Sequence, residues 1–152
     1  MFEYHKVTDH SGYLSRTATD KTGSVRVVIR LENGLLSDEF ADEFVDMETS
    51  DYKTIAVDTE DIYSILAGED EAHFGRAFFG KSGKNYFTFD DLNWLRALKP
   101  RKVHLYIAGN ITLEHVTDVL KLLVAVLPRD TLVLCSFEWQ DLCVIKVDVL
   151  AV

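Results

Sequence analysis

Gly75-Arg76-Ala77-Phe78-Phe79-Gly80-Lys81-Ser82 satisfies the spacing G-x-x-x-x-G-K-S. In a phosphate-cradling loop of that form, backbone N–H groups wrap the phosphates, the lysine neutralises them, and the hydroxyl meets Mg²⁺ at a helix N-terminus. Lys81 and Ser82 are therefore candidate nucleotide ligands. The flanking residues decide what the string means. A working loop follows a buried apolar strand and runs into a helix, whereas only Ala72-His73-Phe74 separates this one from Gly68-Glu69-Asp70-Glu71. After Ser82 come Gly83-Lys84-Asn85, with no helical pattern before Thr88. The bulky pair Phe78-Phe79 suits a strand better than a cradle. The string is expected to be a strand end followed by a polar turn.

Asp58 and Asp61 stand three apart, so at a helix start they share one face and could hold Mg²⁺ or orient water. Asp is equally favoured there for capping and for offsetting the helix dipole. His5 and His10 flank Asp9 in a polar lead-in, too few ligands for a metal centre. His73, His104 and His115 fall in no triad order with Ser or Cys, and no G-x-S-x-G elbow occurs. Cys135 and Cys143 are read as free thiols. No catalytic residue, cofactor or metal site is expected.

The surrounding elements alternate. Residues 1–20 read as a loosely ordered lead-in, and residues 21–51 as a strand, Val25–Leu31, followed by an acidic helix. That helix carries Asp38, Glu39, Asp42, Glu43 and Asp46 on its outer face. Tyr52–Val57 is expected as a strand, Asp58–Leu66 as a helix, and Ala72–Phe79 as a strand. Thr88-Phe89-Asp90-Asp91 starts a helix whose Leu92, Leu95 and Leu98 face inward and which Pro100 ends. Val103–Ile107 is a strand. Thr112 caps a helix with Leu113, Val116, Leu120, Leu123 and Leu127 on its buried side. Thr131–Phe137 and Leu142–Leu150 are expected as strands paired in a closing antiparallel hairpin. The pattern predicts an α/β (α+β) chain, residues 1–152 forming one domain: a single mixed sheet with helices packed on it.

From Tyr52 onward this order resembles the C-terminal domain of the bacterial tubulin homologue FtsZ. The stretch His104-Leu105-Tyr106-Ile107-Ala108-Gly109-Asn110-Ile111-Thr112-Leu113-Glu114 is similar to that family's strand, glycine-containing loop and Glu-bearing helix start. Asp130–Leu134 and Val144–Ala151 are similar to its last two strands, and Gly75–Gly80 to the end of its first sheet strand. The resemblance implies an FtsZ/tubulin-like C-terminal core over residues 52–152. It also implies a role for Asp58 and Asp61, which match the two Asp positions of a loop that acts on GTP held by the next subunit. Ala56 stands where that loop has Asn, and the family's glycine-rich GTP loop has no counterpart in these residues.

The chain has 152 residues, 47% of them hydrophobic, and a formal net charge of −9. That charge argues against nucleic acid, which needs clustered Lys and Arg, and against anionic membranes. No apolar run reaches the roughly 18 residues that cross a bilayer, and Met1–Lys6 has no signal-peptide character. A cytoplasmic location is expected. The leading functional expectation is a non-catalytic interaction or assembly domain that meets a protein partner or further copies of itself through sheet edges, acidic helix faces or the aromatics Phe137 and Trp139. The rival is an acidic inhibitor that occludes a basic partner such as a nuclease toxin. A small nucleotide-binding enzyme using Lys81 and Ser82 stands third.

Overall fold

A computed structural model of the chain describes residues 2–6, 13–20, 23–32, 65–66, 68–89 and 91–152. Its strands are β1 (Phe2–Lys6), β2 (Tyr13–Asp20), β3 (Gly23–Leu31), β4 (Glu71–Ser82), β5 (Asn85–Thr88), β6 (Lys102–Gly109), β7 (Leu132–Trp139) and β8 (Ile145–Ala151). The described helices are α1 (Asn93–Leu98) and α2 (Leu113–Val124). Among the described residues the strands form one 8-stranded sheet in the order β1-β2-β3-β4-β8-β6-β7, with β5 paired to the end of β4.

The expected mixed sheet with helices packed on it is present. Strands β1, β2 and β3 form an antiparallel meander, and β3 pairs parallel with β4. On the far side, β6 and β7 are parallel while β8 runs antiparallel to both β4 and β6. Residues 2–6 and 13–20, expected as a loose lead-in, are strands. Tyr13–Asp20 pairs residue for residue with the apolar strand Gly23–Arg30, so its order comes from the ladder and not from a hydrophobic pattern of its own.

The last two strands run in opposite directions, but they are not neighbours: β6 lies between them. The expected hairpin pairing is corrected here, and burial supplies the reason. In β8, Val147, Asp148, Val149, Leu150 and Ala151 are all buried, as in a strand covered on both faces. In β7, Leu132 and Trp139 are exposed, which suits an edge. The connection from β7 must therefore cross the end of β6. Gln140 N–H donates to Gly109 O at 2.9 Å. A Cβ at Gly109 would lie 3.1 Å from Val144 O, so the crossing is a close backbone approach that a side chain would obstruct.

One sheet face is packed against α1 and α2. There Ala77 and Phe79 of β4, Val103, Leu105 and Ile107 of β6, and Val147, Val149 and Ala151 of β8 meet Leu95, Val116, Val119 and Leu123. Leu113, expected on the buried side of its helix, is the helix's first residue and is 66% exposed. The Thr112 hydroxyl accepts from His115 N–H at 3.3 Å, and His115 Nδ1 accepts from Thr112 N–H at 3.4 Å, a reciprocal cap. Helix α1 begins later than expected: Asp91 Oδ1 accepts from Asn93 N–H at 2.8 Å. It ends at Lys99, which takes the left-handed conformation (φ 51°) ahead of Pro100. The opposite face buries Ile29, Leu31, Ala72, Phe74, Tyr106, Ala108 and Leu150 against Ile65 and Leu66.

The acidic segment with Asp38, Glu39, Asp42, Glu43 and Asp46, the expected strand at 52–57, and Asp58 and Asp61 all lie outside the described residues. Substituting Gly109→Val is expected to destabilise the chain by about 1–3 kcal/mol in urea denaturation, through displacement of the crossing connection. Stability equal to wild type would contradict this topology at the end of β6.

Candidate functional site

The string Gly75–Ser82 lies within β4 and passes into the β4–β5 hairpin, where Ser82 pairs with Asn85 across Gly83-Lys84. It runs into no helix, and the positions of its glycines have a packing cause. A Cβ at Gly75 would lie 2.6 Å from Trp94 Cζ2, and one at Gly80 would lie 2.8 Å from Phe89 Cζ. The two residues are an odd number of positions apart on a strand, so they make room for aromatic rings on opposite faces of the sheet.

Lys81 lines a small cleft of ≈ 110 Å³ with Tyr86, Asn110, His115, Cys143 and Val144. Its ammonium lies 5.6 Å from the centre of the Tyr86 ring, which in turn meets His115 edge-on at 6.1 Å. The Tyr86 hydroxyl is buried without a hydrogen-bond partner. Burial, followed by the charges of Asp118 and Glu114, pushes its pKa up, so it remains a proton donor. His115 is held in the cap of α2. Among the described residues no three His, Cys, Asp or Glu side chains gather where they could hold a metal. The cleft can accept a small polar group.

Next to it, and sharing Phe79 and Tyr86, is a wider groove of ≈ 390 Å³ between the β4–β5 hairpin, α1 and α2. Its apolar wall holds Leu92, Leu122 and Val126, with Asp91 and Arg96 at the rim. Phe89, 58% exposed, stacks edge-on against Phe87 with ring centres 5.0 Å apart. The Phe87 and Phe89 rings lie on the Gly80 face of the hairpin, whereas the exposed Leu122 and Val124 belong to α2 on the other face.

The face away from α1 and α2 carries a different set. Arg76 donates to both carboxylate oxygens of Asp148, at 2.7 and 3.2 Å, and the Asp148 side chain is 3% exposed. The Tyr106 hydroxyl donates to Glu138, and His104 Nε2 and Ser136 Oγ are 3.1 Å apart. Burial and the Glu138 carboxylate push the Tyr106 pKa up. These pairs tie β4 to β8 and β6 to β7. Sequence reasoning missed them, although their signal is present: polar residues recur at every second position in His104/Tyr106 and Ser136/Glu138, which puts each pair on one face.

Of the aromatics expected at the hairpin tip, Phe137 is packed into the cluster beneath α2, whereas Trp139 is 57% exposed. The Trp139 indole N–H donates to Asn110 Oδ1 at 3.2 Å. Cys135 and Cys143 are both free.

No family model matches the chain, and no curated protein does. The decisive likeness is in the fold. A solved structure, the empty FtsZ dimer of M. jannaschii, superposes with a TM-score of 0.52 at 14% sequence identity. The fold is FtsZ-like. The match covers 76% of this chain and 38% of that one, so the chain spans well under half of the FtsZ chain it resembles. The mixed α+β sheet is compatible with the FtsZ C-terminal domain.

Two outcomes test this site. Gly75→Ala is expected to cost about 1–3 kcal/mol by urea denaturation, with most of the loss recovered when combined with Trp94→Phe. An additive double variant would remove the packing account of the glycine. Burial pushes the Cys135 thiol up to about 11 while Cys143 is exposed. Only the thiolate is nucleophilic, so a thiol reagent at neutral to mildly alkaline pH should consume Cys143 first, and Cys135 only on unfolding. The unfolded chain ionises Cys135 earlier than the folded one, so this group removes stability as pH rises toward about 11. Equal labelling of both cysteines in the native chain would contradict that burial.

Proposed function

We propose that this chain is a non-catalytic protein-interaction or assembly domain built on an FtsZ-like sheet. The observation that carries the reading is the apolar groove between the β4–β5 hairpin and the helices, lined by Phe79, Tyr86, Leu92, Leu122 and Val126, with Leu122 exposed. Contiguous apolar surface rimmed by polar residues marks a place where a partner removes it from water. Phe79, Tyr86 and Leu92, anchored in the packed layer below, give that surface a rigid floor. The two other readings draw less support. The segment expected to act as an inhibitor's acidic face lies outside the described residues, and Lys81 and Ser82 stand on a strand and its turn.

A photocrosslinking amino acid at Leu122, compared in the cell with one at exposed Lys84, tests the reading. Position 122 is expected to give discrete protein adducts that persist in high salt, because apolar contacts are not screened. The Val126→Ser variant, which changes the groove wall beside Leu122, should lose them while remaining folded by circular dichroism. Adducts no stronger than those at Lys84, or adducts that vanish with salt, would favour the electrostatic inhibitor instead.

A further inference from the structure

The small cleft beside Lys81 gathers hydrogen-bond donors, and neighbouring contacts fix which atoms remain to donate. His115 Nδ1 accepts from Thr112 N–H at 3.4 Å, so the neutral ring carries its proton on Nε2. Asn110 Oδ1 accepts from Trp139 Nε1–H at 3.2 Å, which orients the amide and leaves its N–H groups to donate. The Tyr86 hydroxyl is buried with no partner among the described residues, and its raised pKa keeps the proton in place. The Lys81 ammonium lies 5.6 Å from the centre of the Tyr86 ring, and no described carboxylate pairs with it. None of the side chains lining the cleft is acidic. Phe79, Leu142, Val144 and Ile145 complete the lining with apolar surface. The volume of ≈ 110 Å³ has room for several water-sized groups.

We propose that this cleft binds a small carboxylate, which accepts from Lys81, Tyr86, Asn110 and His115 while a short apolar tail lies against Phe79, Leu142 and Ile145. A set of donors with no acidic side chain among them fits an anion, and an ammonium beside neutral donors gives charge-assisted bonds to it. The charge balance selects a carboxylate over a phosphate. Lys81 is the one permanent cation in the lining, and Glu114 and Asp118 stand close enough to push the Tyr86 pKa up. A monoanion is matched by that single cation, whereas a dianion would meet both carboxylates with the same single charge to hold it. The site is distinct from the neighbouring groove and holds whether or not a protein docks there.

A nuclear magnetic resonance titration of the isotope-labelled full chain with sodium butyrate, butyramide, sodium phosphate and, at matched ionic strength, sodium chloride tests this. Butyrate is expected to give saturable shifts at Tyr86, Asn110, His115 and Cys143, with little change at Leu122 and Val126. Butyramide, similar in shape but uncharged, and chloride should give none that saturate. Lys81→Met should weaken butyrate binding about tenfold or more, through loss of the charge-assisted bond. Tyr86→Phe should weaken it by about tenfold while leaving the free chain at least as stable in urea, because the hydroxyl it deletes has no partner. A hydroxyl with a purely structural role would show the reverse, lost stability with unchanged affinity, and that result counts against the proposal. No saturable shift at high millimolar butyrate, equal binding of butyramide, or unchanged affinity in Lys81→Met overturns it. Phosphate binding more tightly than butyrate overturns it as well, by making the cleft a seat for a dianion.

Discussion

The position of β8 between β4 and β6 is the constraint on which the rest of the molecule depends. Its side chains are buried on both faces, with Val147, Val149 and Ala151 beneath the helices and Leu150 in the opposite cluster. A strand buried on both faces is most stable with neighbours on both edges and cover on both faces. Placing it at the sheet's margin, paired with β7 by a short turn, would leave much of that apolar surface near water. The chain instead carries the β7–β8 connection across the end of β6, which requires a glycine at position 109.

Other features follow from that placement. Because β8 takes one side of β6, β7 takes the other and stands at the end of the described sheet, with Leu132 and Trp139 exposed. Because β8 lies next to β4, Asp148 is brought to Arg76. A buried ion pair of this kind returns little net stability, but removing one partner costs about 3–5 kcal/mol, so it holds register more than it adds energy. The pairs Tyr106–Glu138 and His104–Ser136 do the same for β6 and β7.

Much of this was legible in the sequence. Helix α2 announced itself through Thr112 and the spacing of Val116, Leu120 and Leu123, and Val103–Ile107 through Val103, Leu105 and Ile107 at alternate positions. The G-x-x-x-x-G-K-S string was readable as a strand because its neighbours offered no helix, although nothing in it pointed to Trp94 and Phe89 as the reason for its glycines. Those contacts join residues far apart in the chain. The pairing of the last two strands was misread because a short polar connection between two strands ordinarily makes a hairpin. The corrective signal was the run Val149-Leu150-Ala151-Val152, apolar at consecutive positions rather than alternate ones. Strands β1 and β2 went unseen because lateral pairing orders them, and the alternation of Phe2 and Tyr4 with Glu3 and His5 is too short to stand out.

Residue-resolved hydrogen exchange at low chain concentration tests the strand order most directly. The central placement of β8 predicts the slowest exchange at Val147 and Val149 and in β6. In β7 it predicts alternation: slow amides at Leu134, Ser136 and Glu138, and fast ones at Val133, Cys135 and Phe137. Protection of the odd-numbered β7 amides to the level of the even ones at every concentration would mean that β7 has a strand on both sides, and would contradict the account.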